Sequence, residues 1–287
     1  MSKKNETDFE KLNQNAEIFV RIKKEKPNWW KLFCDDGDLY IDIRKGNTIN
    51  IYYNGGSVAK IKFTKGKFSA KIHRKYLTEK NKCGYDDLCL ETLDKITLDF
   101  IKKNIRDVYS DEKEGSEKPA EKWIQCKLIL ENRKENRKEN GKKNGNYIDS
   151  EFQYNNKNTG INLRIDLIEL SDNKLSFVEL KRIDDTRLLN DKKRNTDTEE
   201  IITQMKTYRT FIKGHQNNLK TYYQKLIQIK VDLGLLSEQN VDFSINEIPK
   251  LLIANTYKKQ GKRRKDRINA IENLLNMHDI EYKIESF

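Results

Sequence analysis

The N-terminal part of the chain alternates between helix-like and strand-like spacing of its apolar side chains. Residues 6–24 predict a helix whose apolar side carries Phe9, Leu12, Ala16, Phe19 and Val20. Alternating apolar and polar residues then predict an antiparallel meander of five strands, over 30–33, 39–43, 48–53, 58–63 and 67–72. The turns between these runs contain glycine, as is typical of β-hairpins. Residues 86–108 predict a second helix, whose inward side carries Leu90, Leu93, Ile96, Phe100 and Ile101.

The C-terminal part has a different order of elements. The spacing predicts a helix over 123–140, a strand over 147–154, a hairpin over 161–181, a helix over 199–212, a buried strand over 251–254, a helix over 267–277 and a strand over 281–284. Between 215 and 248, an inserted amphipathic helix is predicted by Leu219, Tyr222, Tyr223, Leu226, Ile229 and Val231. Helices and strands in this order predict an α/β (α+β) protein.

Two polar stretches mark connections. Residues 110–122 have almost nothing to bury and hold one of only three prolines, which predicts a domain boundary or an exposed connection. Residues 131–146 repeat Glu-Asn-Arg-Lys, and a solvated helix end followed by a loop is the favoured interpretation. We therefore expect two domains, residues 1–110 and residues 120–287.

The predicted hairpin carries the residues with the clearest chemistry. Asp166 lies on its first strand, and Glu179 and Lys181 share one face of its second. Two carboxylates can hold a hard divalent cation, and an ammonium can orient the attacking water, which suits hydrolysis of a phosphodiester. The hairpin alone fits a solvated face with an Asp–Lys ion pair equally well. Acidic-x-Lys triplets also occur at 111–113, 191–193 and 281–283, so the surrounding elements have to decide.

Those surrounding elements resemble the PD-(D/E)XK nuclease superfamily, the restriction-endonuclease-like proteins, whose core order is α-β-β-β-α-β. The resemblance covers residues 122–287. Gln204 and Tyr208 match the Q-x-x-x-Y pattern that RecB-like members carry on the helix after the E-x-K strand. Two departures are that Ile165 precedes Asp166, where the motif has proline, and that residues 215–248 interrupt the core.

The resemblance implies a fold, a cofactor and site residues. The fold is a C-terminal αβββαβ core with a mixed central sheet, joined to an N-terminal helix and antiparallel meander. The cofactor is Mg²⁺ or Mn²⁺, held by Asp166, Glu179 and the carbonyl of Leu180. Lys181 positions the water, and Gln204 and Tyr208 support the substrate or the lysine. Glu151 lies where the family often supplies a further acidic ligand, although an exposed acid on an edge strand is an equally good interpretation.

Composition bears on the partner and excludes several classes of protein. A net charge of +12 and a pI near 9.2 favour a polyanion, and beside a nuclease-like core they favour nucleic acid. Of the two nucleic acids, we expect DNA rather than RNA as the partner. The basic run at 258–265 either contacts phosphates or is simply solvated. Four cysteines without a CxxC pair and three scattered histidines supply zinc chemistry poorly, and no P-loop is present. Without an apolar leader or spanning segment, we expect a cytoplasmic protein that does not enter membranes.

The N-terminal part and the assembly leave alternatives open. Trp29, Trp30, Tyr40, Tyr52 and Tyr53 could stack on bases, but aromatic residues at alternate positions more often form a core. We expect a homodimer that pairs through the inserted segment or the meander. The favoured function is a DNA nuclease of prokaryotic restriction or anti-phage defence. The alternatives are a catalytically silent nucleic-acid-binding or regulatory protein on the same fold, and a ligand-activated effector nuclease.

Overall fold

The computed structural model describes residues 8–77, 83–108, 120–135, 146–156, 160–189, 200–238, 240–259 and 261–287. Its N-terminal part is a five-stranded antiparallel sheet in sequence order: β1 (Tyr40–Arg44), β2 (Thr48–Tyr53), β3 (Gly56–Thr64), β4 (Lys67–His73) and β5 (Tyr85–Leu88). The four predicted strands between residues 39 and 72 are confirmed. The predicted antiparallel meander is therefore confirmed, although its fifth strand lies elsewhere.

Helices cover the apolar face of this sheet: α1 (Glu17–Glu25), α2 (Asn28–Asp35) and α3 (Lys95–Val108). The predicted strand at 30–33 is wrong, because Trp29, Trp30 and Phe33 are buried together along one side of α2. Pro27, with φ −60° and ψ 148°, precedes that helix at the position where a missing N–H costs nothing. All but one of the aromatic residues considered for base stacking are buried, Tyr52 being partly exposed, so the interpretation as core is the better one.

Two helix predictions in this part are wrong in extent. Residues 8–16 form turns before α1, although Phe9 and Leu12 are buried as expected, and residues 6–7 lie outside the described part of the chain. The predicted helix at 86–108 is split, since residues 85–88 pair with β4 as a strand. Its inward side also differs from the prediction, because Ile96 and Phe100 are exposed. Pairing with the sheet overrides the local helical spacing here.

The C-terminal part is a mixed sheet in the order β6-β7-β8-β10-β11, formed by β6 (Asn146–Asn156), β7 (Ile161–Ser171), β8 (Lys174–Arg182), β10 (Lys250–Asn255) and β11 (Tyr282–Ser286). The first three strands are antiparallel, and β10 joins β8 and β11 in parallel. A short strand, β9 (Ser244–Ile245), pairs with the start of β8. Asp172 and Asn173, both with positive φ, close the predicted hairpin.

Helices lie on both faces of this sheet. On one face is α4 (Glu121–Glu135), which packs on Leu167, Val178 and Leu180. The other face is covered by α5 (Glu200–Gly214), α6 (Gln216–Asp232) and α7 (Lys262–Met277). Most residues of the polar stretches at 110–122 and 131–146 lie outside the described part of the chain. Residues 136–140 of the helix predicted over 123–140 lie outside it as well. Among the described helices, none is long and apolar enough to cross a membrane.

The two parts of the chain pack closely against each other. The ring of Phe9 lies 5.2 Å from that of Tyr154 on β6 and 6.3 Å from that of Phe211 on α5, and one hydrophobic cluster includes residues of both parts. Gly55, in the β2–β3 turn, has φ +80°, and a Cβ there would lie 2.7 Å from that of Lys122 on α4. Glycine is therefore required both by the turn and by this close approach. The division at residues 110–120 stays a prediction.

Candidate active site

Strands β7 and β8 separate at Asp166. Their backbone pairing reaches the pair Leu167–Val178 and ends there. At the neighbouring residue of β7, Asp166, the side chain bonds to β8 in place of the backbone: its Oδ2 accepts the N–H of Leu180 at 3.0 Å. The backbone carbonyl of Asp166 accepts a hydrogen bond from the side chain of Gln125 on α4 at 2.6 Å. The carboxylate is thus fixed where the sheet opens.

Glu179 and Lys181 follow on β8, on the same face of the sheet. The ammonium of Lys181 contacts the Glu179 carboxylate and lies 4.0 Å from Oδ2 of Asp166. It also donates to the carbonyl of Leu180 at 3.0 Å. Lys181 is 1% exposed, Glu179 2% and Asp166 7%, so all three groups are removed from water. One ammonium between two buried carboxylates leaves an excess of negative charge when both are ionised.

The pKa values reflect that excess. Burial, together with the neighbouring Asp166 carboxylate, raises the pKa of Glu179 to about 7. Burial also raises the pKa of Asp166, against the opposing effects of Lys181 and of the Leu180 N–H. A second negative charge is therefore costly in this pocket. An additional cation would favour the ionised form of both carboxyl groups.

Helix α5 contributes two side chains that bond to the Glu179 carboxylate. Gln204 Nε2 donates to Glu179 Oε1 at 2.7 Å and to Tyr208 Oη at 2.7 Å. The Tyr208 hydroxyl lies 3.1 Å from Glu179 Oε2 and donates to the backbone carbonyl of Arg164. Residues four apart share one side of a helix, so a single face of α5 delivers both groups. The structure therefore brings Asp166, Glu179, Lys181, Gln204 and Tyr208 together.

These side chains open into a cavity of about 420 Å³. Its other lining residues come from α4, β7, the segment after β8 and α5: Glu121, Asn162, Leu163, Arg164, Arg187, Glu200, Thr203 and Thr207. The sequence analysis missed Glu121, because the helix predicted over 123–140 began two residues after it. Burial raises its pKa, with Lys181 opposing and Asp166 adding to the shift. A helix start placed two residues earlier would have brought this carboxylate into consideration.

Arg187 was also missed, because it lies on an irregular segment for which no periodicity exists. Its guanidinium is held by Asp185 at 2.5 Å and lies 3.9 Å from Glu121. Arg267 on α7 fixes this segment by donating to the carbonyls of Ile183 at 3.0 Å and Asp185 at 2.9 Å. Asp185 occupies the Nε and Nη2 donors of Arg187, and an arginine clamped in this way holds its remaining N–H donors in a fixed position for an anion.

Glu151 lies apart from this group. Its φ of 49° turns the β6 backbone, and its Oε1 lies 3.6 Å from Nη2 of Arg164 and 3.7 Å from Nζ of Lys122. It lines a second cavity, of about 270 Å³, between β6 and the N-terminal sheet. The alternative interpretation, an exposed acid on an edge strand, is right about the strand and wrong about the exposure, because the Glu151 side chain is 16% exposed and two basic side chains occupy its carboxylate. Glu121 is the additional acid that lines the Asp166 cavity.

The donor set fits a hard divalent cation. Within the described part of the chain, no group of three or more His, Cys, Asp or Glu side chains is arranged to hold a metal ion. Mg²⁺ does not need such a group, because it is usually bound by one or two carboxylates, with waters and substrate phosphates as further ligands. Asp166, Glu179 and the Leu180 carbonyl supply oxygens of that kind. Gln204 Oε1 is buried and without a hydrogen-bond partner among the described residues, so it offers an acceptor for water.

Comparison with known proteins found no relative. No protein-family model matches the chain, and no curated protein or solved structure matches it significantly.

Proposed function

We propose that this protein is a metal-dependent nuclease that hydrolyses phosphodiester bonds of DNA. The observation that carries the proposal is the convergence of Asp166, Glu179 and Lys181 at the gap between β7 and β8, with Gln204 from α5 bonded to Glu179. A solvated surface ion pair, the alternative interpretation of the hairpin, does not suit three groups that are almost completely buried. Buried ionisable groups in a cavity, with perturbed pKa values, mark a candidate catalytic site.

The order of elements supports the same proposal. The sequence α4, β6, β7, β8, α5, β10 follows the α-β-β-β-α-β order of restriction-endonuclease-like proteins, and helix α6 is the insertion between α5 and β10. The sheet is antiparallel over β6, β7 and β8 and parallel from β8 to β10, as a mixed central sheet requires. We propose on this basis that the C-terminal part is a PD-(D/E)XK-type core of the Q-x-x-x-Y variety.

The residues divide the chemistry among them. Asp166, Glu179 and the Leu180 carbonyl would hold Mg²⁺ or Mn²⁺, which supplies Lewis acidity and a nucleophilic water when bound. Lys181, in contact with Glu179, orients that water and offsets the charge that develops on the phosphate as the new P–O bond forms and the old one breaks. Arg187 and Arg164 line the same cavity and suit non-bridging phosphate oxygens. Gln204 and Tyr208 keep the Glu179 carboxylate in place.

DNA is the proposed substrate, with RNA the alternative. The excess of 57 Lys and Arg over 45 Asp and Glu favours a polyanion without selecting a base sequence. A cellular role in restriction or anti-phage defence, and a homodimeric state, stay predictions.

A cleavage panel tests the proposal directly. Plasmid, linear duplex, single-stranded DNA and RNA are incubated with the purified protein in Mg²⁺, in Mn²⁺ and in EDTA. We expect cleavage of DNA that EDTA abolishes and either cation restores. Cleavage that persists after thorough chelation contradicts the mechanism, and an absence of cleavage on every substrate favours a silent or ligand-activated protein.

Two matched substitutions distinguish cleavage by this site from cleavage by a contaminating nuclease. Lys181→Met should abolish turnover. Lys283→Met is the control. Lys283 ends a second Glu-x-Lys tripeptide, at 281–283, but its side chain is 72% exposed on β11. Equal loss of activity in both folded variants would show that the assignment to Lys181 is wrong.

A further inference from the structure

The N-terminal sheet has one face that is not covered by α1, α2 and α3. On β3 and β4, the residues on this face are exposed: Lys60, Lys62, Thr64, Lys67, Ser69 and Lys71. The opposite face carries Phe63 and Phe68, and the ring of Phe68 lies 5.2 Å from that of Trp29 on α2. The helices therefore leave a polar, lysine-bearing surface open, which we call the lysine face and define by Lys60, Lys62, Lys67 and Lys71.

The segment that contains β2, β3 and β4 carries side-chain charge of one sign only. Residues 43–78 contain nine Lys and Arg and no Asp or Glu, whereas the whole chain of 287 residues has 45 acidic residues. A solvated surface of a chain this rich in charge would be expected to mix both signs. Lys71 pairs with Asp87 of β5 at 2.8 Å, but among the described residues no such ion pair engages Lys60, Lys62 or Lys67. These three ammonium groups are available to an external anion.

The lysine face leads into the second cavity. Lys60 lines that cavity, and so does Asn50, its partner across β2 and β3. The Oδ1 atom of Asn50 is buried and has no hydrogen-bond partner among the described residues. The two acids that also line the cavity are neutralised, Asp149 by Arg44 at 3.1 Å and Glu151 by Arg164 at 3.6 Å. The cavity therefore does not repel a phosphate group.

The same ion pair joins this cavity to the candidate active site. Glu151 lines the second cavity, and its partner Arg164 lines the cavity that holds Asp166 and Glu179. The lysine face, the second cavity and the candidate active site are therefore neighbours in that order, with the Glu151–Arg164 pair between the two cavities. Lys60 and Lys62, two residues apart on β3, are about 6.6 Å apart along the strand, and Lys71 lies opposite Lys60 on β4, so the positive charges are clustered beside the second cavity.

We propose that the lysine face is a binding surface for the phosphate backbone of the nucleic-acid strand, beyond the point at which that strand is cut. The inference rests on the proposed function for the identity of the ligand as substrate. The surface binds through phosphates, because the side chains that define it are ammonium groups. It makes affinity depend on strand length, since only a strand that extends out of the active site reaches it.

Binding of labelled single strands in EDTA, where no cleavage occurs, tests the proposal. One variant carries Lys60→Gln, Lys62→Gln and Lys67→Gln. The control carries Lys24→Gln, Lys31→Gln and Lys103→Gln, which removes the same charge from exposed positions on the helices that cover the opposite face. Thermal unfolding of both variants checks their folding. Affinity is measured by fluorescence anisotropy at several salt concentrations, with a long strand and with one too short to leave the active site.

The expected result is specific to the sheet-face variant. Its affinity for the long strand should fall about tenfold or more, and the slope of log K against log salt should become shallower by about 2 to 3, near one unit per lost phosphate contact. The preference for the long strand over the short one should be lost. The control should keep the wild-type preference and slope.

The outcomes separate this inference from the proposed nuclease function. Equal losses of affinity in both triple variants, or no loss in either, contradict the proposed role of the lysine face, whatever the cleavage panel shows. Selective loss in the sheet-face variant supports it, even if the wild type cleaves nothing, in which case only the nuclease function fails. A wild-type protein that binds no nucleic acid overturns both.

Discussion

Gln204 of α5 donates a 2.7 Å hydrogen bond to Glu179 of β8 and uses its second N–H for Tyr208. These bonds fix the orientation of a carboxylate that would bind the metal. Outer partners of metal ligands typically contribute 10- to 100-fold to affinity or activity, so we expect Gln204→Leu to lower kcat/KM by about that factor. Activity should not fall to the level of Asp166→Asn, because the ligands themselves remain.

The control for Gln204 is Gln228→Leu on α6, whose exposed amide donates a 3.2 Å hydrogen bond to the exposed Asp232. Steady-state cleavage of DNA at several Mg²⁺ concentrations measures both variants. Wild-type kinetics and wild-type Mg²⁺ dependence in Gln204→Leu would show that the bond to Glu179 is dispensable.

Lys181 already supplies positive charge to the two carboxylates that a metal would also bind. Its removal in Lys181→Met leaves Asp166 and Glu179 without their nearest cation, so the metal-free variant should unfold at a lower temperature than the wild type. Added Mn²⁺ should then raise the melting temperature more in the variant than in the wild type, because the ion no longer competes with an ammonium. Differential scanning fluorimetry with and without Mn²⁺ measures this. An equal or smaller shift of the melting temperature in the variant would contradict the view that Lys181 and the metal ion compete for the same two carboxylates.

The hairpin and the α5 face could be predicted because both depend on local spacing. Alternation along β8 places Glu179 and Lys181 on one face, and an interval of four residues places Gln204 and Tyr208 on one side of a helix. Strand separation at Asp166 could not be predicted, since the bond from the Leu180 N–H to its side chain is formed only when the two strands meet. Arg187 was equally inaccessible, because three-dimensional contacts with Asp185 and Arg267 determine its position.

The errors in the N-terminal part have a common cause. Residues 28–35 and 85–88 are short, and short apolar runs do not distinguish a helix from a strand. Trp29, Trp30 and Phe33 satisfy a helical side, while Leu88 becomes a strand residue because Ala70 of β4 is its partner. Strands β2 and β4 are no longer than residues 28–35, but a glycine-containing turn precedes each of them in the sequence, and both were correctly placed.

A buried ionic cluster joins the two parts of the molecule and should make stability depend on pH. Burial raises the pKa of Asp149 to about 7, with Arg44 opposing the shift and Asp42 adding to it. Between the ordinary aspartate pKa of about 4 and this value, the folded protein binds one proton more than the unfolded chain. The contribution of Asp149 to stability is therefore complete below about pH 4 and is lost as pH rises to about 7, at no more than about 1.4 kcal/mol per pH unit.

Urea unfolding between these pH values measures the effect. Asp149→Asn should flatten the dependence, because the amide binds no proton. Asp242→Asn is the control, since that side chain is 86% exposed and pairs with Lys220 on the surface. An unchanged pH slope in Asp149→Asn would assign the dependence to another group.

The inserted helix α6 was expected to expose apolar surface for a dimer, and the structure removes that reason. Leu219, Tyr223 and Leu226 are fully buried within the protomer, and Tyr222 and Ile229 nearly so. The aromatic rings of Tyr222 and Tyr223 pack on Phe152 of β6 at 5.9 and 6.0 Å. Because α6 completes the core, its apolar side is not available as a contact between copies.

Leu226→Ala distinguishes a core residue from an interface residue. As part of the core, Leu226 should contribute about 2–5 kcal/mol to the free energy of unfolding, since its truncation leaves a cavity. The mass of the particle in solution should not change. Urea denaturation measures the first quantity, and light scattering at micromolar concentration measures the second. A variant that keeps wild-type stability while a wild-type dimer dissociates would restore α6 as the dimer contact and contradict the packing described here.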